Sequence, residues 1–197
     1  MARKPRVLVS NSAYHVVARA NRQEMIFKDD SFKDLLMETI KRAKKKYSFN
    51  IRNFCIMGNH IHFDIEPLDD TNLSKIMQWI LSVFARRYNK YHNYKGHVWY
   101  DRFKSKVIRS MQQFLNTFKY IANNPVRALM VDHPLKYAYS GITCYQQNNL
   151  MGILDPPDKE LETAINDFLA IYNPEKARQT DEKYSFRDKK PGRPKKK

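Results

Sequence analysis

The sequence predicts an α+β fold: a ferredoxin-like βαββαβ antiparallel sheet with helices on one face, a further helix that carries polar chemistry, and a helical or disordered C-terminal extension. Three observations predict it. Short stretches rich in β-branched and aromatic residues, with apolar and polar positions alternating, mark strands. Longer stretches with apolar residues every three or four positions mark helices. Their order is β-α-β-β-α-β-α, and the first six follow the split βαβ pattern.

The first strand is 13–19, AYHVVAR. The first helix spans 31–46 and starts with Ser31 and Asp34 in capping-like spacing. Phe32, Leu35, Leu36, Ile40 and Ala43 form its apolar stripe, and Lys33, Lys41, Lys44 and Lys45 lie off it. Strands at 49–57 and 60–66 are joined by Gly58-Asn59, a hairpin signal. The cleanest helix is 72–91, with Leu73, Ile76, Met77, Ile80, Leu81, Phe84, Ala85 and Tyr88 in register. A short strand is read at 104–109 and a helix at 112–124, which must end or kink before Pro125. Past residue 130 the pattern weakens, apart from a helix at 158–172. The domain reading is 1–134 for the principal domain, 135–173 for a partly helical extension and 174–197 for a basic, flexible tail.

With 42% hydrophobic and 13% aromatic residues, the 197-residue chain has the composition of a folded core, which excludes intrinsic disorder for most of it. Thirty-six Lys and Arg against 20 Asp and Glu give a net charge of +16, so the partner is a polyanion, with nucleic acid favoured over an anionic membrane surface. No apolar stretch approaches the roughly 18 residues of a spanning helix, and Val7-Leu8-Val9 is too short a run for a signal peptide. The only cysteines, Cys55 and Cys144, are far apart, which argues against a disulfide framework or a cysteine zinc site. The expected location is the cytoplasm, in association with the nucleoid.

Candidate chemistry begins at His60-Ile61-His62. Strand residues two apart share a face, so the histidines stand side by side, Asp64 continues their face, and Ile61, Phe63 and Ile65 point to the core. Two such imidazoles can hold a divalent metal, although the same spacing fits two solvent-facing polar residues. On the helix at 112–124, Tyr120 falls opposite Phe114, Phe118 and Ile121, with Asn124 one turn on and Gln113 on the same side. A tyrosine so placed can be a nucleophile, a base-stacking platform or an ordinary surface residue. Tyrosine ordinarily ionises near pH 10, so one that cleaves a phosphodiester needs positive charge close by, and a metal can polarise the phosphate. Asn124 and Asp64 are rival third ligands.

Lys41, Arg42, Lys44, Lys45 and Lys46 form one basic cluster and Arg86, Arg87 and Lys90 another, suited to phosphate contacts without sequence information. In GHVWYDRFKSK, Trp99, Tyr100 and Phe103 interleave with Arg102, Lys104 and Lys106, a mixture that fits unstacked bases, though Trp99 and Phe103 also fit a core. The tail segment Pro191-Gly192-Arg193-Pro194 is similar to an AT-hook, in which Arg193 would enter a narrow minor groove; a generic basic tail is the plainer reading.

Four segments in order, YHVVARANRQEMIF, MGNHIHF, GHVWYDRFKSKVI and FKYIANNPVRA, resemble the HUH-type single-tyrosine transposases, and within them the REP-associated tyrosine transposases. The resemblance spans about residues 13–130. It implies His60 and His62 as metal ligands, Asn124 as the third ligand with Asp64 as rival, Tyr120 as nucleophile, and Mg²⁺ or Mn²⁺ as cofactor. It further implies cleavage of single-stranded DNA near a hairpin, a 5′-phosphotyrosine intermediate, and rejoining by a second 3′-hydroxyl. Arg19, Asn21 and Arg22 lie where that family's loop meets DNA. Insertion-sequence relatives are dimers with shared sites and the REP-associated branch is monomeric, so both states remain open. Three departures stand out: Gly58 in place of Pro, Ala20 in place of Gly, and Asp64 in place of an apolar residue. The alternatives are a non-catalytic hairpin-DNA binder on the same fold and an RNA-binding module, whose RNP1 signature is absent.

Overall fold

The computed structural model describes residue 9 and residues 12–178. Four strands, β1 (Tyr14–Arg19), β2 (Phe49–Ile56), β3 (His60–Pro67) and β4 (Lys104–Val107), form one sheet in the order β2-β3-β1-β4. All three pairings are antiparallel. Helices α1 (Asp30–Lys44) and α2 (Leu73–His92) connect β1 to β2 and β3 to β4, which is the ferredoxin-like arrangement expected. Then follow α3 (Met111–Ala122), α4 (Asn124–Arg127), α5 (Gly141–Gln146), α6 (Lys159–Ala170) and α7 (Pro174–Arg178).

Alternation explains the first layer. Val16, Ala18, Phe54, Ile56, Ile61 and Phe63 point to one face and pack with Leu36, Ile40, Ile76, Ile80 and Phe84 of α1 and α2. The second face differs from the expectation of helices on one side only. It is covered as well, by α3 and the extension: α3 packs on β2 and β3 and α5 on β2. Phe118, Ile142, Leu161 and Phe168 build a second cluster there. Sequence alone does not reveal this layer because the strand residues beneath it, His15, Asn53, His62 and Asp64, are polar; all four are nonetheless buried.

Local chemistry sets the ends of the elements. Asp29, not Ser31, caps α1, its carboxylate accepting from the Ser31 amide at 2.9 Å. Helix α3 ends at Ala122, and α4 resumes at Asn124 with Pro125 in its first turn, where a missing N–H costs nothing. Strand β4 stops at Val107, earlier than expected. A register shift between Ile51 and Asn53 leaves Arg52 without a strand partner, and its guanidinium pairs with Glu66 and Asp158, both at 3.2 Å. A Cβ at Gly58 would meet the end of the Met25 side chain, which is exposed and would have to swing aside.

Residues 137–155 run along the outer edge of β2. The Tyr137 hydroxyl donates to the Ile56 carbonyl at 2.7 Å, and the Ile56 amide donates to the Tyr139 carbonyl at 3.0 Å. Farther along, the Ile51 amide donates to the Asp155 carboxylate at 2.7 Å. No helix among the described residues is long and apolar enough to cross a membrane.

Candidate active site

The register of β1 against β3 builds the floor of the site. Arg19 faces His60, Val17 faces His62 and His15 faces Asp64, and directly opposed residues share a side of the sheet. His60 and His62 meet edge-on with ring centroids 5.0 Å apart. His15 stacks on His62 at 5.2 Å, and its Nε2 lies 2.9 Å from His62 Nδ1. The His60 Nδ1 lies 2.7 Å from the Oδ1 of Asn59, in the β2–β3 turn.

Helix α3 forms the roof. Ser110 caps it, and Phe114, Phe118, Ile121 and Ala122 hold it down. The Tyr120 ring is thereby set 5.8 Å from that of His62 and 5.6 Å from that of His15, edge-on to both. One turn later, the Asn124 Nδ2 donates to the Tyr120 carbonyl at 2.9 Å, which leaves its Oδ1 as the amide atom able to ligate. The Arg127 guanidinium sits over the Tyr120 ring, 4.6 Å from its centroid.

Burial keeps the imidazoles neutral. It pushes His15 down to about 3, with Lys106 adding to the effect, and His60 down to about 4, with Arg19 adding to it. His62 is lowered well below its ordinary value, first by burial and then by His60, His15, Arg19 and Arg127. Neutral imidazoles offer lone pairs, as metal binding requires. The His62 Nε2 is buried with no hydrogen-bond partner among the described residues, an atom the site leaves for something else. Two neutral imidazoles side by side are a donor set suited to a divalent cation, and Asn124 carries an amide oxygen one turn beyond Tyr120.

Asp64 is placed differently from a ligand. It is fully buried, neither carboxylate oxygen has a hydrogen-bond partner among the described residues, and burial pushes its carboxyl up to about 8, which keeps it protonated near neutral pH. Among the described residues no three His, Cys, Asp or Glu side chains form a group able to hold a metal, so His60, His62 and Asp64 do not converge.

The residues read as DNA contacts are divided between places. Arg19 is exposed beside His60. Asn21 and Arg22 follow in the turn after β1, where Asn21 Oδ1 accepts the Arg22 amide and Arg22 takes a φ of 50°. Arg42, Arg86 and Arg87 line a groove of about 410 Å³ with Trp79, Val83 and Lys90, on the helical layer away from the histidines. Arg87 is also paired with Glu38 at 2.9 Å. Lys41 and Lys45 are exposed at the end of α1, Arg102 is exposed before β4, and Lys104 opposes Val17 on β1. Trp99 packs on Phe27 and Phe84 and donates its indole N–H to the Leu81 carbonyl at 2.9 Å, so its ring lies on the edge of the core. Arg193 lies outside the described residues.

Three further residues join the site that sequence alone does not single out: His15, Asn59 and Arg127. Alternation from Tyr14, Val16 and Ala18 puts His15 off the core side, but only the strand register sets it beside His62. Arg127 is seven residues past Tyr120, a spacing that matters only because the helix restarts after Asn123.

Among curated proteins, no relative matches the chain. Among solved structures, a REP-associated tyrosine transposase bound to a REP hairpin is similar over 80% of this chain and 93% of its own, at 20% identity and a TM-score of 0.63. A crystal structure described as a putative transposase from Deinococcus radiodurans R1 matches over 62% and 97%, at 16% identity and a TM-score of 0.42. The first likeness shows a shared fold. The profile of the family described as "Transposase IS200 like" matches residues 8–124, from before β1 through Tyr120 to Asn124. That match takes in more than half of the sequence, so the chain belongs to the IS200-like transposase family and is a DNA transposase.

Proposed function

We propose that this transposase cuts and rejoins single-stranded DNA beside a hairpin, with Tyr120 as the nucleophile. The observation that carries the reading is the Tyr120 ring lying 5.8 Å from that of His62, whose buried Nε2 has no hydrogen-bond partner among the described residues. A hairpin as partner is supported by the similar structure, which is described as bound to a REP hairpin.

In the cleavage step the Tyr120 oxygen attacks the scissile phosphorus. A bond forms between that oxygen and phosphorus, and the bond from phosphorus to the 3′-oxygen breaks. The phenolic proton leaves to solvent and the departing 3′-oxygen takes up a proton. The DNA is then held as a 5′-phosphotyrosine, and attack by another strand's 3′-hydroxyl reverses the chemistry and restores the tyrosine. Because one phosphoester replaces another, no energy-rich cofactor is consumed.

His60, His62 and Asn124 would hold Mg²⁺ or Mn²⁺, which when bound polarises the phosphate and offsets the charge developing on it. Arg127 supplies a fixed positive charge at the nucleophile. Arg19, exposed beside His60, and the nearby Asn21 and Arg22 guide the strand into the site, while the groove of Arg42, Arg86 and Arg87 adds sequence-independent phosphate contacts. In this reading, residues 1–134 carry the chemistry, 135–173 form the extension and 174–197 add a basic tail.

The test is a denaturing gel of the protein mixed with labelled hairpin oligonucleotides, with Mn²⁺ or with chelator. A covalent band that needs metal and vanishes in Tyr120→Phe is expected. A band that persists in Tyr120→Phe would remove Tyr120 from the mechanism, and binding without any band would leave a hairpin-binding protein.

A further inference from the structure

Both candidate ligand imidazoles are held at the same atom. Asn59 meets His60 at Nδ1, and His15 meets His62 at Nδ1. A side-chain amide oxygen only accepts, so His60 carries its proton on Nδ1 and keeps its lone pair on Nε2. The Asn59 Nδ2, 3.4 Å from the Gln23 carbonyl, favours this orientation of the amide.

The second pair works the same way through a different residue. As an N–H, the buried His62 Nε2 would be a donor stranded away from water; as a lone pair, it can be directed at a cation. His62 then carries its proton on Nδ1 and donates it to His15 Nε2. His15 is firmly placed to receive it, being 2% exposed with its ring 24° from parallel to that of His62.

We propose that His15 and Asn59 are positioning residues that hold His62 and His60 as Nδ1–H tautomers, so that both present Nε2 to one divalent cation. Neither touches the cation; each acts through the imidazole it grips. The inference rests on the metal-site reading above and deepens it. It also gives the two partners unequal weight, because Asn59 is half-buried in a turn whereas His15 is locked between the sheet and α3.

Two measurements on the full chain test this. Long-range ¹⁵N–¹H spectra of the metal-free protein report which ring nitrogen bears each proton. Nδ1–H at both His60 and His62 is expected, and Nε2–H at either overturns the proposal. Manganese affinity, read by electron paramagnetic resonance of the free ion, is the second. His15→Phe, which fills the space without an acceptor, should weaken Mn²⁺ binding about 10- to 100-fold. His15→Gln, which keeps an acceptor, should recover part of that loss. Asn59→Ala and Asn59→Asp make the same comparison at His60, in a turn tolerant enough to fold if His15→Phe does not. Unchanged affinity in both His15→Phe and Asn59→Ala would overturn the inference while leaving the metal reading intact. Wild-type protein that binds no Mn²⁺ would overturn both.

Discussion

The guanidinium of Arg127 lies over the ring of Tyr120, 4.6 Å from its centroid, two helical turns further along the chain. Side chains on a helix lean toward its N-terminus, so a long arginine on α4 reaches back to α3. None of the acidic residues described pairs with it, and its charge acts on Tyr120 and His62. Arg127→Ala should slow single-turnover formation of the covalent adduct by roughly 100-fold, the scale of losing one preorganised charge contact. Arg127→Lys keeps the charge but not the planar stack, and should fall between the two. Equal rates in all three proteins would remove Arg127 from the chemistry.

His60, His62 and Tyr120 come together within one chain. A mixture of His62→Ala and Tyr120→Phe proteins should therefore form no more adduct than either alone. Adduct restored in the mixture would mean that two chains exchange α3 to build shared sites.

Stability should depend on pH in two opposed ways. His15 and His60 are lowered from 6.5 to about 3 and about 4, so the unfolded chain binds protons that the folded one refuses. Their contribution is present above pH 6.5 and is lost as pH falls toward 4. Asp64 is raised from 3.8 to about 8, so the folded chain holds a proton that the unfolded one releases, and its contribution is lost as pH rises through that window. The histidines outweigh the single carboxyl below pH 6.5, and Asp64 acts alone above it, so the melting temperature should peak near pH 6.5. Asp64→Asn should flatten the decline between pH 6.5 and 8. An unchanged decline in that variant would assign it to another group.

Much of this was legible in the sequence because period and burial agree. The stripes of α1 and α2 and the alternation of Ile61, Phe63 and Ile65 each point to one core, and the structure places them there. Spacing put His60 and His62 on one strand face and Tyr120 on the polar face of its helix, but only the family resemblance gave them roles. What could not be read depends on pairing between distant segments. The same alternation that revealed the core made the opposite face look wet, because the cue for its cover lies in short helices far along the chain. Helix α5 has only six residues, too few to show a period, and Gly141 fits there because a Cβ would strike Asn53. His15 became a site residue only when register set it beside His62. Asp64 looked like a ligand because it shares a face with the histidines, but a common face is not a common centre.

The strip of chain along β2 has one more consequence. A strand at the border of a sheet exposes a row of amides and carbonyls that can recruit any extended peptide, including one from another copy of the same protein. Tyr137, Tyr139 and Asp155 already bond the Ile56 and Ile51 groups that such a guest would need. Addition of a fifth strand at that border is thus foreclosed by the chain itself.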